Sequence, residues 1–177
     1  MRKEIVIAGF GGQGIQRLGK TLAKALDDRG FLVSLKSNYG PAARGGGSSS
    51  QVVVKESLED WPEALTVDIL VAMSQEGYNA WISKTSSESK LFFDVDMVET
   101  VPPPRAHQYP IPATKVANEL GSQIVANMVM FGAVAALTGL FSLEDLFGVI
   151  KKEAGKFADV NLEAVKEGYE LGSMFKS

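Results

Sequence analysis

The segment GFGGQGIQRLGKT, from Gly9 to Thr21, contains two residue spacings that are associated with phosphate chemistry. Its first part fits G-x-G-x-x-G, the fingerprint of dinucleotide-binding folds, and its second part fits G-x-x-x-x-G-K-T, the loop that binds nucleotide triphosphates. In both motifs glycine lets the backbone approach a phosphate at the N-terminus of a helix, where free N–H groups attract anions. One short segment cannot serve both motifs, so the neighbouring elements must decide between them.

The predicted elements argue against the nucleotide-triphosphate loop. The apolar run from Lys3 to Ala8 predicts a buried strand that ends near Gly9. Ile15 then begins a helical repeat of apolar residues, which places Lys20 one to two turns inside a helix and out of reach of a phosphate. The strand end from Phe92 to Asp94 resembles a magnesium-holding position, which keeps this alternative open.

The dinucleotide fingerprint fits the predicted elements better, because Gly9, Gly11 and Gly14 fall at the turn from strand to helix. The full fingerprint also needs an acidic residue about 20 residues further on, which binds the ribose hydroxyls. The chain has no Asp or Glu between Arg29 and Lys55. Lys36 could instead bind the extra phosphate of NADP. An autonomous nucleotide-binding protein, of the NADP or triphosphate type, is therefore the alternative hypothesis.

A second glycine-rich segment, NYGPAARGGGSSS from Asn38 to Ser50, has no periodicity and predicts a loop. It combines conformationally free glycines with Arg44, whose planar guanidinium suits phosphate or carboxylate groups. A flexible linker has a similar composition. The composition of this segment alone leaves both interpretations open.

Together the two glycine-rich segments resemble the gamma subunit of 2-oxoacid:ferredoxin oxidoreductases, the family that acts on pyruvate, 2-oxoglutarate or 2-ketoisovalerate. The resemblance spans most of the chain and is carried by GFGGQG, YGPAARGG, DILVAMSQE and NMVMFGAVAALTGL, at residues 9–14, 39–46, 68–76 and 127–140. It implies a subunit of a complex that oxidatively decarboxylates a 2-oxoacid, such as 2-oxoglutarate, to its acyl-coenzyme A. The electrons pass to ferredoxin.

The resemblance also implies which chains hold the cofactors. Thiamine diphosphate and iron–sulfur clusters are expected on the thiamine-binding, alpha-type and ferredoxin-like subunits of the complex. This chain is then expected to hold no metal or cofactor alone, to supply no catalytic residue and to be inactive without its partners. A related small subunit, that of indolepyruvate oxidoreductase, is the competing assignment.

The resemblance places eight residues of this chain near coenzyme A or the shared active-site region. They are Gly11, Gly12, Gln13, Gly14, Tyr39, Arg44, Gly45 and Gly46. Family members commonly have a glutamate two positions before the arginine, where this chain has Ala42. The usual carboxylate therefore has no counterpart here.

The composition excludes several classes of function. The chain has no cysteine, which excludes disulfides and thiolate-bound zinc or iron–sulfur clusters within it, and its one histidine is His107, expected in a loop. Asp94 and Asp96 could hold magnesium, although loop capping explains them more simply. The net charge of −3 argues against a nucleic-acid partner. The apolar run from Ile124 to Phe141 barely reaches spanning length, so a buried helix in a soluble cytoplasmic protein is expected.

Alternating strands and helices predict an α/β fold: a single Rossmann-like domain over residues 1–177, with a mostly parallel open sheet flanked by helices. The last third is predicted to be helical, with a long helix from Ala113 to Thr138 that breaks near Gly121. Ser142 and Asp145 predict a capping box at the start of the next helix. The predicted strands are Lys3 to Ala8, Phe31 to Leu35, Gln51 to Lys55, Asp68 to Met73 and Lys90 to Val95.

Overall fold

A computed structural model of the chain describes residues 2–40, 47–99, 105–153 and 155–176. The strands in these residues are β1 (Lys3–Phe10), β2 (Leu32–Tyr39), β3 (Gly47–Lys55), β4 (Val67–Ala72), β5 (Thr85–Asp94) and β6 (His107–Ile111). The α-helices are α1 (Ile15–Asp27), α2 (Gln75–Trp81), α3 (Ala113–Glu119), α4 (Ala126–Thr138), α5 (Leu143–Glu153) and α6 (Ala158–Ser173). His107, expected in a loop, is the exposed first residue of β6.

The strands form one sheet with the order β2-β3-β1-β4-β5-β6. β1 pairs in parallel with β4, and β4 in parallel with β5. β3 pairs antiparallel with both β1 and β2, so β2 runs in the same direction as β1. The predicted α/β class with a mostly parallel sheet is confirmed. The antiparallel β3, inserted between β1 and β2, is the departure from a simple Rossmann start, in which β1 and β2 would be neighbours.

The β2–β3 hairpin corrects the loop that was expected from Asn38 to Ser50. β2 continues to Tyr39 and β3 begins at Gly47, and Tyr39 pairs with Ser48 in the ladder. Glycine has low strand propensity and serine is favoured in turns, but this end of β3 has a strand on each side. The two ladders supply the backbone hydrogen bonds that local preference does not predict. Residues 41–46, which join the strands, lie outside the described residues.

The chain divides into two compact units, of which the first comprises residues 1–93 and 97–108. On one face of its sheet, Val6 and Ala8 of β1 belong to an apolar cluster with Tyr78 of α2. Alternate strand residues point to opposite faces, and the other face carries α1. The residues that α1 buries are Ile15, Leu18, Gly19, Thr21, Leu22, Ala25 and Leu26, the one-sided stripe expected of a helix on a sheet.

The second unit comprises residues 94–96 and 109–177 and contains the predicted helices. The expected break near Gly121 is confirmed, since α3 ends at Glu119 and Gly121 has a φ of 78°. The capping box is also confirmed. The Ser142 N–H donates to Asp145 Oδ2 at 2.9 Å, and the Asp145 N–H donates to Ser142 Oγ at 3.1 Å.

Helix α4 is the core of the second unit. Every residue from Ala126 to Ala136 is buried, as predicted for a core helix. Its apolar character is thus explained by packing. Within the described part of the chain, no helix is both long and apolar enough to cross a membrane.

Candidate functional site

The glycine turn after β1 leads the chain into α1, and Gln13 closes it. Gln13 Oε1 accepts a hydrogen bond from the Phe10 N–H at 2.9 Å, and Gln13 Nε2 donates to the Met73 carbonyl at 2.6 Å. Met73 directly follows β4, so this amide ties together the ends of two neighbouring strands. Gly14, with a φ of 74°, is the N-cap of α1 and adopts the left-handed conformation that favours glycine.

The second half of the segment lies inside α1, as the apolar pattern predicted. Lys20 is exposed on the helix, and Thr21 is buried. A Cβ on Gly19 would overlap the side chain of Ser50, so this glycine allows α1 to approach β3 closely. The G-x-x-x-x-G-K-T spacing therefore reflects helix packing and does not form a phosphate loop. Lys36, the NADP candidate, forms an ion pair with Glu63 at 2.7 Å.

A pocket of ≈ 220 Å³ lies at one end of the β1, β2 and β3 strands, beside α2. It is lined by Ala8, Gly9, Asn38, Tyr39, Gly40, Gly47, Ser48, Ser49, Glu76, Gly77, Ala80 and Trp81. Of the predicted site residues, Tyr39 lines this pocket and Gln13 does not, nor do the glycines at 11, 12 and 14. Tyr39 is 72% exposed.

The predicted site residues Arg44, Gly45 and Gly46, and the substituted position Ala42, lie outside the described residues. The segment that carries them joins Gly40 to Gly47, and both of these glycines line the pocket. The Gly40 N–H donates to the Gly47 carbonyl at 2.5 Å, which closes the hairpin ladder at the pocket wall.

The described lining of the pocket is rich in glycine, carries two aromatic rings and has an acidic side chain. Glu76 is its only charged residue among the described ones. The Glu76 carboxylate lies against Gly47, where a Cβ would stand 2.9 Å from Oε1. Trp81 stacks beneath Lys84, whose Nζ is 4.5 Å from the ring centroid. A carboxylate repels phosphate, so these residues suit a neutral group of a ligand better than its phosphates.

Gln16 was not predicted from the sequence as a site residue, yet its amide binds both strands of the hairpin. Gln16 Nε2 donates to the Asn38 carbonyl at 3.1 Å, to Ser48 Oγ at 2.9 Å and to the Ser49 carbonyl at 3.0 Å. Gln16 Oε1 accepts from Ser50 Oγ at 2.8 Å. Two features of the sequence were related to this contact: a polar residue in the first turn of α1, and a run of serines that the structure shows to be part of a buried strand.

Asp94, the last residue of β5, and Asp96 accept hydrogen bonds from the first turn of α3, so the capping that was expected in a loop is found at the start of a helix. Asp94 Oδ2 accepts from the Thr114 N–H at 3.0 Å and from Thr114 Oγ1 at 2.6 Å. Asp96 Oδ2 accepts from the Lys115 N–H at 3.0 Å. Burial raises the pKa of Asp94, against the lowering effect of the Thr114 hydrogen bond. The described residues contain no group of three or more His, Cys, Asp or Glu that could hold a metal ion.

Comparison with known proteins decides the family. The sequence profile of the pyruvate ferredoxin/flavodoxin oxidoreductase family matches residues 4–171. The chain belongs to this family. Its sequence is 40% identical to a 2-oxoglutarate synthase subunit, KorC, from Methanocaldococcus jannaschii, over 97% of this chain and 94% of that protein. The resemblance inferred from the glycine motifs is thereby confirmed.

One solved structure identifies the subunit type, and a second contains the same fold within a longer chain. The gamma subunit of a keto/oxoacid ferredoxin oxidoreductase from Geobacter sulfurreducens has a TM-score of 0.84 and 30% identity, with 97% of each chain covered. A 2-oxoglutarate:ferredoxin oxidoreductase from Magnetococcus marinus, with 2-oxoglutarate, coenzyme A and succinyl-CoA bound, has a TM-score of 0.88 and 27% identity. The match covers 98% of this chain and 31% of that one.

This chain is therefore a gamma-type subunit of a 2-oxoacid:ferredoxin oxidoreductase, an oxidoreductase complex. The competing assignment is weaker. The indolepyruvate oxidoreductase subunit IorB of Methanothermobacter thermautotrophicus is 25% identical, over 96% of this chain and 97% of that subunit.

Proposed function

We propose that this gamma-type subunit works in a cytoplasmic complex that oxidatively decarboxylates 2-oxoglutarate. The carboxylate next to the oxo group leaves as carbon dioxide, the remaining acyl group becomes a thioester of coenzyme A, and two electrons pass to ferredoxin. The observation that carries the choice of 2-oxoglutarate is the near full-length similarity to the M. jannaschii 2-oxoglutarate synthase subunit. The pyruvate and branched-chain members of the family are the other substrate classes that the experiment must separate.

The partners in this proposal are the thiamine-binding, alpha-type and ferredoxin-like subunits. An iron–sulfur cluster needs thiolate ligands as a rule, and this chain has no cysteine. Its residues do not fit a cluster. The sequence also has no recognisable thiamine-binding motif. Both groups therefore belong on the partner chains in our proposal, and they supply the decarboxylation and the electron path there.

The ligand that we propose for the pocket of this chain is a neutral part of coenzyme A. Tyr39 and Trp81 offer aromatic surface, and the glycines at 9, 40 and 47 allow close backbone approach. The described lining has no cation for the phosphates of coenzyme A. We propose that Arg44 is the cation that binds them, with Gly45 and Gly46 beside it. The turn from Gly11 to Gly14 then supports the pocket through the strand end that Gln13 holds.

Co-expression with candidate partner subunits tests this function. A tag on this chain should recover thiamine-binding and cluster-bearing chains, and the complex should reduce ferredoxin or a viologen with 2-oxoglutarate and coenzyme A. Pyruvate, 2-ketoisovalerate and indolepyruvate, tested at equal concentrations, should give a lower kcat/KM. A higher kcat/KM for one of these three 2-oxoacids would identify it, and not 2-oxoglutarate, as the substrate. Tight binding of NADPH or ATP–magnesium by the isolated chain, measured by calorimetry, would instead support the autonomous alternative.

A further inference from the structure

Gln16 contacts the wall of the pocket from behind. It belongs to the first turn of α1 and is not one of the lining residues. Its partners Asn38, Ser48 and Ser49 all line the pocket. Asn38 and Ser49 are paired with each other across the β2–β3 ladder. A single side chain thus holds both strands of the hairpin immediately before they reach Gly40 and Gly47.

In the part of the chain that the structure describes, the β2 end of this hairpin is paired with a strand on one side only. β2 is the edge strand of the sheet, so β3 is its only strand neighbour among the described residues. Tyr39, at the end of β2, is 72% exposed, which means that its ring is held by little side-chain packing. Its position therefore depends on the backbone at Asn38 and Gly40. The hydrogen bond from Gln16 to the Asn38 carbonyl restrains that backbone from the α1 side.

We propose that Gln16 is a positioning residue for ligand binding at this pocket. Its amide fixes the end of the hairpin, and through it Tyr39, in the place where the ligand binds. The inference rests on the proposed function for the identity of the ligand, coenzyme A. The restraint that Gln16 places on the hairpin is independent of that function, because it is a property of the isolated chain.

The side-chain amide of glutamine is required because Gln16 both donates and accepts. Methionine has nearly the same length and shape but cannot donate to a carbonyl, so Gln16→Met removes the bonds with little change in packing. A matched control lies on β3. Gln51 is buried, and its Oε1 accepts from the Ala64 N–H at 3.0 Å, away from the hairpin end. Gln51→Met removes a glutamine hydrogen bond without touching the hairpin end.

Hydrogen exchange of the isolated chain tests the restraint. The amide to follow is that of Gly40, which donates to the Gly47 carbonyl. In Gln16→Met it should exchange roughly tenfold faster than in the wild type, because the hairpin end opens more often. In Gln51→Met it should exchange at the wild-type rate. Equal exchange in Gln16→Met and the wild type would overturn the proposal. If the methionine variant does not fold, Gln16→Asn, whose amide is one methylene too short, is used instead with the same expectation.

Steady-state kinetics of the assembled complex test the link to the ligand. Gln16→Met should raise the KM for coenzyme A about fivefold and change kcat by less than about twofold, since it alters binding and not the reacting groups. The KM for the 2-oxoacid should stay unchanged, and Gln51→Met should change neither constant. Faster exchange at Gly40 with an unchanged KM for coenzyme A would also overturn the proposal. A wild-type complex that does not use coenzyme A would refute the proposed function, whereas the exchange experiment would still decide the restraint.

Discussion

At the scale of single residues, the polar side chains of Glu4, Gln13 and Gln16 hold backbone segments in place. Gln13 and Gln16 act at the pocket end of the sheet. Glu4, in β1, acts elsewhere on the loop before β4: its Oε2 accepts from the Leu65 N–H at 2.6 Å and from the Thr66 N–H at 2.7 Å. In each case a buried or half-buried polar side chain accepts from backbone N–H groups or donates to backbone carbonyls of another segment.

The substitution Glu4→Gln tests this role. Glu4 is 5% exposed, and its other oxygen accepts from Arg2 Nε at 2.7 Å. An amide has one acceptor oxygen in place of two, and its NH2 group would face a donor. The free energy of unfolding should fall by about 2 kcal/mol, because hydrogen bonds to a charged group are lost in a buried place.

Urea unfolding of the two variants Glu4→Gln and Glu88→Gln measures the difference. Glu88 is exposed, so its substitution should change the free energy of unfolding by less than about 0.5 kcal/mol. An equal, small effect for both variants would contradict the role of Glu4.

Asp94 gives a prediction about pH. Burial raises the pKa of Asp94 above its ordinary value of 3.8. The folded chain therefore binds this proton more tightly than the unfolded chain does. The contribution of Asp94 to stability is fully present below pH 3.8 and is lost as the pH rises through its folded-state pKa.

The substitution Asp94→Asn should remove this loss of stability at higher pH. The stability of the variant minus that of the wild type should become more positive as the pH increases from about 3 to about 7, as measured by urea unfolding at each pH. Thr114→Val removes the Oγ1–H donor that lowers the pKa of Asp94. The pKa of Asp94 should then be higher still, and stability should continue to fall up to a higher pH than in the wild type. A stability difference between Asp94→Asn and the wild type that stays constant with pH would contradict the raised pKa.

At the scale of elements, glycines bring α4 and α6 together. A Cβ on Gly168 of α6 would overlap the Val129 carbonyl of α4, and one on Gly172 would overlap the Ala133 carbonyl. On α4, a Cβ on Gly132 would overlap the Val165 carbonyl. The two backbones touch, so the helices pack without intervening side chains at these positions.

Two Gly→Ala substitutions separate this packing from helix propensity. Gly168→Ala should lower the free energy of unfolding by about 3 kcal/mol, since the backbones must separate to admit a methyl group. Gly148 of α5 is exposed, and a methyl group added there would meet no atom within 4 Å outside its chain neighbours and the adjacent backbone of its own helix. Gly148→Ala should raise the free energy of unfolding by about 0.5 to 1 kcal/mol, because alanine favours the helix. Similar effects in urea unfolding of both variants would show that the α4–α6 contact is looser than described.

Local signals in the sequence predicted the helical third well. The capping box at Ser142 and the break at Gly121 are encoded within a few residues, and both are confirmed. The start of β3 was missed, because Gly47 to Ser50 have a composition typical of loops and become a strand only by pairing with β1 and β2. The pairing with β1 joins residues far apart in the chain. The contacts of Gln16 depend on the same strand, so no local pattern could have predicted them.

At the scale of the whole molecule, the same fold occurs in two chain organisations. It accounts for nearly the whole of the G. sulfurreducens gamma subunit and for 31% of the M. marinus chain. A unit that is joined to further polypeptide in one relative and separate in another is expected to work against the same kind of neighbour in both. We therefore predict that this chain contributes to catalysis only when its partner subunits are bound.

Adding the purified chain back to a complex that lacks it tests this dependence on partner subunits most directly. The measurement is the reduction of ferredoxin by 2-oxoglutarate and coenzyme A, with the chain alone, the partner subunits alone and the two recombined. We expect activity above background only in the recombined sample, with the recovered subunits present in a fixed ratio. Full activity of the partner subunits without this chain, or activity of the chain by itself, would contradict the proposed role.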